Sequence, residues 1–446
     1  MMKPLSYALL IALLAGCEPS TPPAPAVQAP TAQVAPALPP DTSAVLPAPA
    51  IAPPVAKRVD FTVKSPAGDR IDPYHWLRDD TRSKPEVLDH LRAEDAYFEA
   101  RFAPLVPLKD TLFQEMRARI KEDDSSVPEF EDGYWYYTRF ETGRQYPIFA
   151  RRKGSMDAPE EITLNGNERA EGHDYYQAAN VVFSEDGTLT AQAEHTVGSR
   201  EYKCRFKHMA SGEWLPDVIE DVEASIVFAD DPKVVYLVEK DKTTLLPFRI
   251  KRHTLGNPYA EAETVYEEKD NTFYTTIFRT KNDRYLAIYS GSTLTTEMRM
   301  GLASDPRANF QVYLPRERGH EYQVDDAGER FVIRSNKGGK NFEVLTAPPV
   351  VPGDPATFKP LLAHRDDALV QGVEIFADRI AVNERTGGLR KIRVLPFTGG
   401  EGELLAADEP AYVMSPIGTA HLDSGKLRYS YTSLTTPPTC LLYTSD

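Results

Sequence analysis

From about Pro128 onward, short aromatic or β-branched runs alternate with clusters of Gly, Asp, Asn and Lys, the texture of strands separated by turns. One local event recurs: a small turn, then a strand. It stands at Asp132-Gly133 before Tyr134-Trp135-Tyr136-Tyr137 and at Asp186-Gly187. It stands again at Asp231-Pro232 before Val234-Val235-Tyr236-Leu237, and at Asp283 before Tyr285-Leu286-Ala287-Ile288. It returns at Ala327-Gly328 before Phe331-Val332-Ile333, at Asp378 before Ile380-Ala381-Val382, and at Ser424-Gly425 before Leu427-Arg428-Tyr429. The interval of about 45 to 54 residues is that of a propeller blade of four strands, and the count is about seven. The spacing predicts an all-β, seven-bladed β-propeller. A long irregular sandwich with coincidental spacing is the alternative.

Upstream the period changes. Pro85 to Phe102 reads as a helix: Pro85 suits a first turn, and Val87, Leu88, Leu91, Phe98 and Phe102 recur near helical spacing. A second short helix is predicted from Asp110, as its N-cap, with Leu112, Phe113, Met116 and Ile120 on one side. Both apolar stripes need something to pack against.

The first residues read as a targeting segment. Lys3 gives a positive start, and the apolar stretch Leu5 to Leu14 is too short to span a bilayer as a mature helix. It runs into Leu14-Ala15-Gly16-Cys17, which resembles the bacterial lipoprotein signal; an ordinary signal peptide with a chance Cys17 is the alternative. The resemblance implies lipidation of Cys17 and a periplasm-facing place in the cell envelope. Glu18, in place of Asp, favours the outer membrane. Glu18 to about Ala56 is almost entirely Pro, Ala, Val, Thr and Ser, a composition that buries no core. At ~3.1 Å per residue, such a tether could hold a domain on the order of 100 Å from the membrane.

The 446 residues suffice for one very large domain or two to three ordinary ones. The formal net charge of −15 argues against nucleic acid as a partner, which needs a basic footprint. It suits a cationic substrate, and it equally suits plain solubility. Of three cysteines, Cys17 is read as lipidated and Cys440 as foreign, so Cys204 has no disulfide partner. No Cys/His cluster has zinc spacing, and no cofactor is expected.

The search for catalytic motifs is negative. There is no G-x-S-x-G elbow, and Gly291-Ser292-Thr293 only looks like one. His320-Glu321 lacks the second His of a zinc peptidase, and Gly339-Lys340 is followed by Asn341, not Ser or Thr. Gly399-Gly400-Glu401-Gly402 reads as a turn between blades. His173-Asp174 has no nearby nucleophile and reads as a structural pair. Ser125-Ser126 reads as a solvated loop.

Three stretches carry a family resemblance. Asp72-Pro73-Tyr74-His75-Trp76-Leu77-Arg78-Asp79-Asp80 resembles the segment near the start of the prolyl oligopeptidase family of serine peptidases. Leu164-Asn165-Gly166-Asn167, followed by Ala170-Glu171-Gly172-His173-Asp174-Tyr175-Tyr176, is similar to a segment of that family's oligopeptidase B (protease II) branch. Tyr431 to Thr439 resembles that branch's last propeller strand. The resemblance covers about Arg58 to Thr439. It implies a propeller that caps an α/β-hydrolase domain and admits short peptides, with an N-terminal helical segment packed on the hydrolase. The hydrolase would supply Ser, Asp and His for acyl transfer, and in this branch acidic groups that select Lys or Arg before the cut bond.

No catalytic, cofactor-binding or metal-binding residue can be carried over, because the positions that match the triad are absent from these residues. Cys440 to Asp446 departs from the family and reads as TGT-CTC-TTA-TAC-ACA-TCT-GAC in translation, a string that matches a transposon-end sequencing adapter. The expected division is therefore 1–17 signal, 18–56 tether, 57–125 helical segment, 126–439 propeller and 440–446 adapter. Two functions follow. One is the gating portion of a serine oligopeptidase acting after Lys or Arg, or after Pro in a true prolyl oligopeptidase, the fragment itself inactive. The other is a tethered propeller that works as a binding module. In the first, Leu91, Phe98, Phe113 and Met116 lack a full partner surface; in the second, they are buried.

Overall fold

The computed structural model describes residues 52–198, 200–405 and 407–444, in two compact units that divide between Lys121 and Glu122. The leader, Cys17 and nearly all of the Pro/Ala-rich stretch lie outside the described residues.

In the N-terminal unit, strands Phe61–Val63 and Arg70–Asp72 pair antiparallel and lead through a single turn at His75–Leu77 to helix α1, Pro85–Phe102. The aspartates of the family-like segment build these turns. Asp72 Oδ1 accepts the Tyr74 N–H at 3.0 Å, and Asp79 Oδ2 accepts the N–H groups of Ser83 and Lys84, each at 2.7 Å. The bond from Lys84, with those from Thr81 and Ser83, draws the Asp79 carboxyl down to about 2. Helix α2 runs Val106–Arg117, starting four residues before the predicted Asp110. Pro107 occupies its first turn, where the missing N–H costs nothing, and no side chain caps it.

The second unit is a ring of seven antiparallel blades. The innermost strand comes first in each: Glu129–Glu131, Gln177–Phe183, the latter half of Trp214–Phe228, Tyr274–Arg279, Tyr322–Asp326, Ala368–Ile375 and Tyr412–Ile417. Trp214–Phe228 serves two blades, its first half closing blade 2 and its second half opening blade 3. Blade 7 has three strands among the described residues, Tyr412–Ile417, Leu427–Ser433 and Thr439–Tyr443. Cys440 to Tyr443 thus pair with the strand before them. The segment Tyr431 to Thr439 forms the end of the second strand, the turn and the start of the third. Gly399 to Gly402 lie between the third and fourth strands of blade 6, not between blades.

Five apolar clusters fill the spaces between successive blades from 2 to 7. Alternation explains them: each inner strand sends side chains to both neighbours. Within blade 4, Met298 and Leu314 face each other at an irregular register on neighbouring strands. The buried Tyr322 hydroxyl of blade 5 satisfies backbone groups there, accepting the Met298 N–H at 2.9 Å and donating to the Leu314 carbonyl at 2.7 Å.

Candidate functional site

The chain enters blade 1 at the start of its inner strand, so the seven turns that follow the inner strands gather on the opposite face of the ring. The hydrophobic pattern requires only that these turns be short and polar. One of them, the turn of blade 4 between Arg279 and Tyr285, carries three cations whose partners lie on other blades.

Arg279 ends the inner strand of blade 4. Its Nη1 lies 2.7 Å from Glu185 of blade 2, its Nη2 bonds Asp230 of blade 3, and its Nε donates to the Asp283 carbonyl at 3.1 Å. Arg284 is forked onto the fully buried Asp326 of blade 5, at 2.8 and 2.9 Å. Between them Lys281 leaves the turn. Its N–H donates to Asp325 Oδ1 of blade 5 at 2.8 Å, and its ammonium bonds Glu374 of blade 6 and Thr419 of blade 7, the latter at 2.9 Å. Glu374 is filled further by Thr419, through N–H at 3.0 Å and hydroxyl at 3.2 Å. Only 6% of the Lys281 side chain and 4% of the Glu374 side chain are exposed.

Burial pushes the Asp325 carboxyl up, against the Lys281 and Asp326 N–H groups that favour its charge. Burial likewise pushes Glu129 of blade 1 up, opposed by Arg428 and Lys281 and reinforced by Glu131 and Glu374. Blade 7 meets blade 1 through polar ties: Arg428 Nη2 donates to the Pro128 carbonyl at 2.9 Å, and the Asp132 N–H donates to His421 Nε2 at 3.2 Å. Nearer the entry face, Arg334 lies 3.5 Å over the Phe342 ring and donates to the Val370 carbonyl. Burial draws it down to about 10, with Glu321 opposing.

His173 and Asp174 are both exposed, with no bond between their side chains. Cys204 is buried, free and pushed well up by burial, so it is no nucleophile. Among the described residues no group of His, Cys, Asp and Glu could hold a metal ion. Sequence reasoning missed the Lys281 cluster, because Lys233 and Lys426 stand in equivalent turns and nothing local sets Lys281 apart from them. Both helical stripes lie open: Leu91 is 51% exposed, Phe98 52%, Phe113 54% and Met116 59%.

The prolyl oligopeptidase N-terminal β-propeller domain family matches residues 53–446. The dipeptidyl aminopeptidase BI of Pseudoxanthomonas mexicana is 43% identical over 417 residues, which are 90% of this chain and 57% of that protein. Protease 2 of Moraxella lacunata is 28% identical, over 86% of this chain and 56% of its own. Oligopeptidase B from Leishmania major superposes with a TM-score of 0.82 at 26% identity, covering 88% of this chain and 59% of its own. The chain spans less than three fifths of each of these proteins.

Proposed function

Because the chain belongs to the prolyl oligopeptidase family of serine peptidases, we propose that it is the propeller portion of a peptidase whose ring covers a separate α/β-hydrolase domain and admits short peptides. The observation that carries this reading is the open apolar surface of α1 and α2 in the N-terminal unit. Monomeric proteins seldom leave such stripes uncovered. The greater length of the relatives supplies the occupant, a hydrolase domain of the same protein. There Ser would attack the peptide carbonyl, His would carry the proton and Asp would orient His.

We take cleavage after Lys or Arg as the first reading of specificity, on the likeness to protease 2 and oligopeptidase B. Release of dipeptides from a free N-terminus is the second, favoured by the higher identity to dipeptidyl aminopeptidase BI. Full-length gene product assayed on an N-blocked arginyl amide and on an unblocked dipeptidyl amide separates them. Turnover of the blocked substrate supports the first, turnover of only the unblocked one the second. A Pro-linked substrate tests for a true prolyl oligopeptidase, and no turnover of any leaves the binding module. The 446-residue chain itself should be inactive on all three. We further propose that lipidation of Cys17 tethers the protein to the outer membrane, facing the periplasm. Cys17→Ala should then abolish radiolabelled-palmitate incorporation in a bacterial host, and continued labelling would refute the tether.

A further inference from the structure

The contacts of Lys281 bring together residues of blades 4, 5, 6 and 7. Its backbone belongs to blade 4, its N–H is held by blade 5, and its ammonium lies between blade 6 and blade 7. Glu129 of blade 1 also feels its charge. Arg279 also reaches a nonadjacent blade, but Lys281 spans blade 4 to blade 7, three apart in a ring of seven and as far as two blades can be, so its side chain reaches across the opening around which the blades are arranged. We propose that Lys281 is a strap across the far mouth of the propeller axis, closing it with a buried ion pair to Glu374.

The turn that carries the strap is tied at both ends. Asp283 takes a left-handed φ of 57°, which aspartate tolerates. Arg279 holds its carbonyl from one side, while Arg284 ties the turn's far end to Asp326. A buried ion pair of this kind is costly to break from one side, since the partner is left charged and desolvated. Without the ammonium, Glu374 would keep only the Thr419 donors. The strap is a property of the ring and does not depend on which peptides the whole protein cuts. If the ring filters peptides as proposed above, the far mouth is shut to them in this conformation.

Two measurements on the 446-residue chain test this. The first uses the native protein: brief acetylation with an activated ester, each lysine read by peptide mass spectrometry. Lys281 should react at least about tenfold more slowly than Lys242, whose side chain is 81% exposed. Equal rates would overturn the strap. The second uses Lys281→Ala. Its Tm should fall, and n-butylammonium should raise it saturably, because the vacated mouth admits a cation of the lost side chain's shape. Potassium chloride at equal ionic strength should not. An unchanged Tm, or equal rescue by both salts, would overturn the proposal. Should this variant not fold, the acetylation rates decide alone.

Discussion

Glu129 occupies the inner strand of blade 1, where four charged groups converge: Arg428 from blade 7, Lys281 from blade 4, Glu374 from blade 6 and Glu131 from its own strand. Burial outweighs the two cations, so its carboxyl holds a proton above the ordinary value of 4.5. The folded chain then binds that proton more tightly than the unfolded one. Its contribution to stability is full below 4.5 and is lost as pH rises through the folded value. Replacing the charge should recover the loss. Glu129→Gln is expected to melt higher than the parent at pH 8, with the difference vanishing toward pH 4. A variant less stable at pH 8 would mean that Arg428 and Lys281 hold the carboxylate more strongly than burial opposes it.

At the scale of elements, local chemistry was the most legible part of the chain. All seven turn-then-strand events fall between the first and second strands of the seven blades, because turn residues and alternating strands are written in neighbouring positions. Helix α1 matches its predicted bounds for the same reason, with Pro85 opening it. Three features were not legible. Trp214–Phe228 runs through two blades without Gly or Pro at its bend; Asp221 at φ 60° provides the bend, beside shifts of register at Val222. The start of α2 was displaced because Asp110 resembles a cap while Pro107 already sits in the first turn. The Lys281 cluster was hidden by distance in sequence: its partners lie 93 and 138 residues away, and no periodicity links a cation in one turn to a carboxylate two blades on. The open stripes of α1 and α2 show the converse. Their helical spacing was readable, yet what covers them lies outside anything that local pattern encodes.

At the scale of the whole ring, stability is unevenly distributed. Five apolar clusters weld blades 2 to 7 in succession. Blade 1 leans on blade 2 through the Tyr136–Phe183 ring contact at 4.9 Å and Arg151, 5.4 Å from Phe183. Between blade 7 and blade 1, among the described residues, no strand pairing is made, and Arg428, His421 and Asp132 supply polar ties. Such ties between partly exposed groups contribute roughly 1 kcal/mol or less each. Apolar burial contributes about 25 cal/mol per Å² and accumulates over a whole blade face. The ring should therefore open first at this seam. In native-state hydrogen exchange, amides of 129–139 and 412–433 should exchange through a lower-energy opening than those of the strands Val234–Lys240, Tyr285–Gly291 and Phe331–Ser335. Strapping by Lys281 lies on the blade 4 to 7 side of the seam, so Lys281→Ala should leave that ordering in place while lowering protection in blades 5 and 6. If all seven blades exchange through one common opening, the polar seam is as strong as the apolar ones, and the ring must be held together by something other than the burial between its blades.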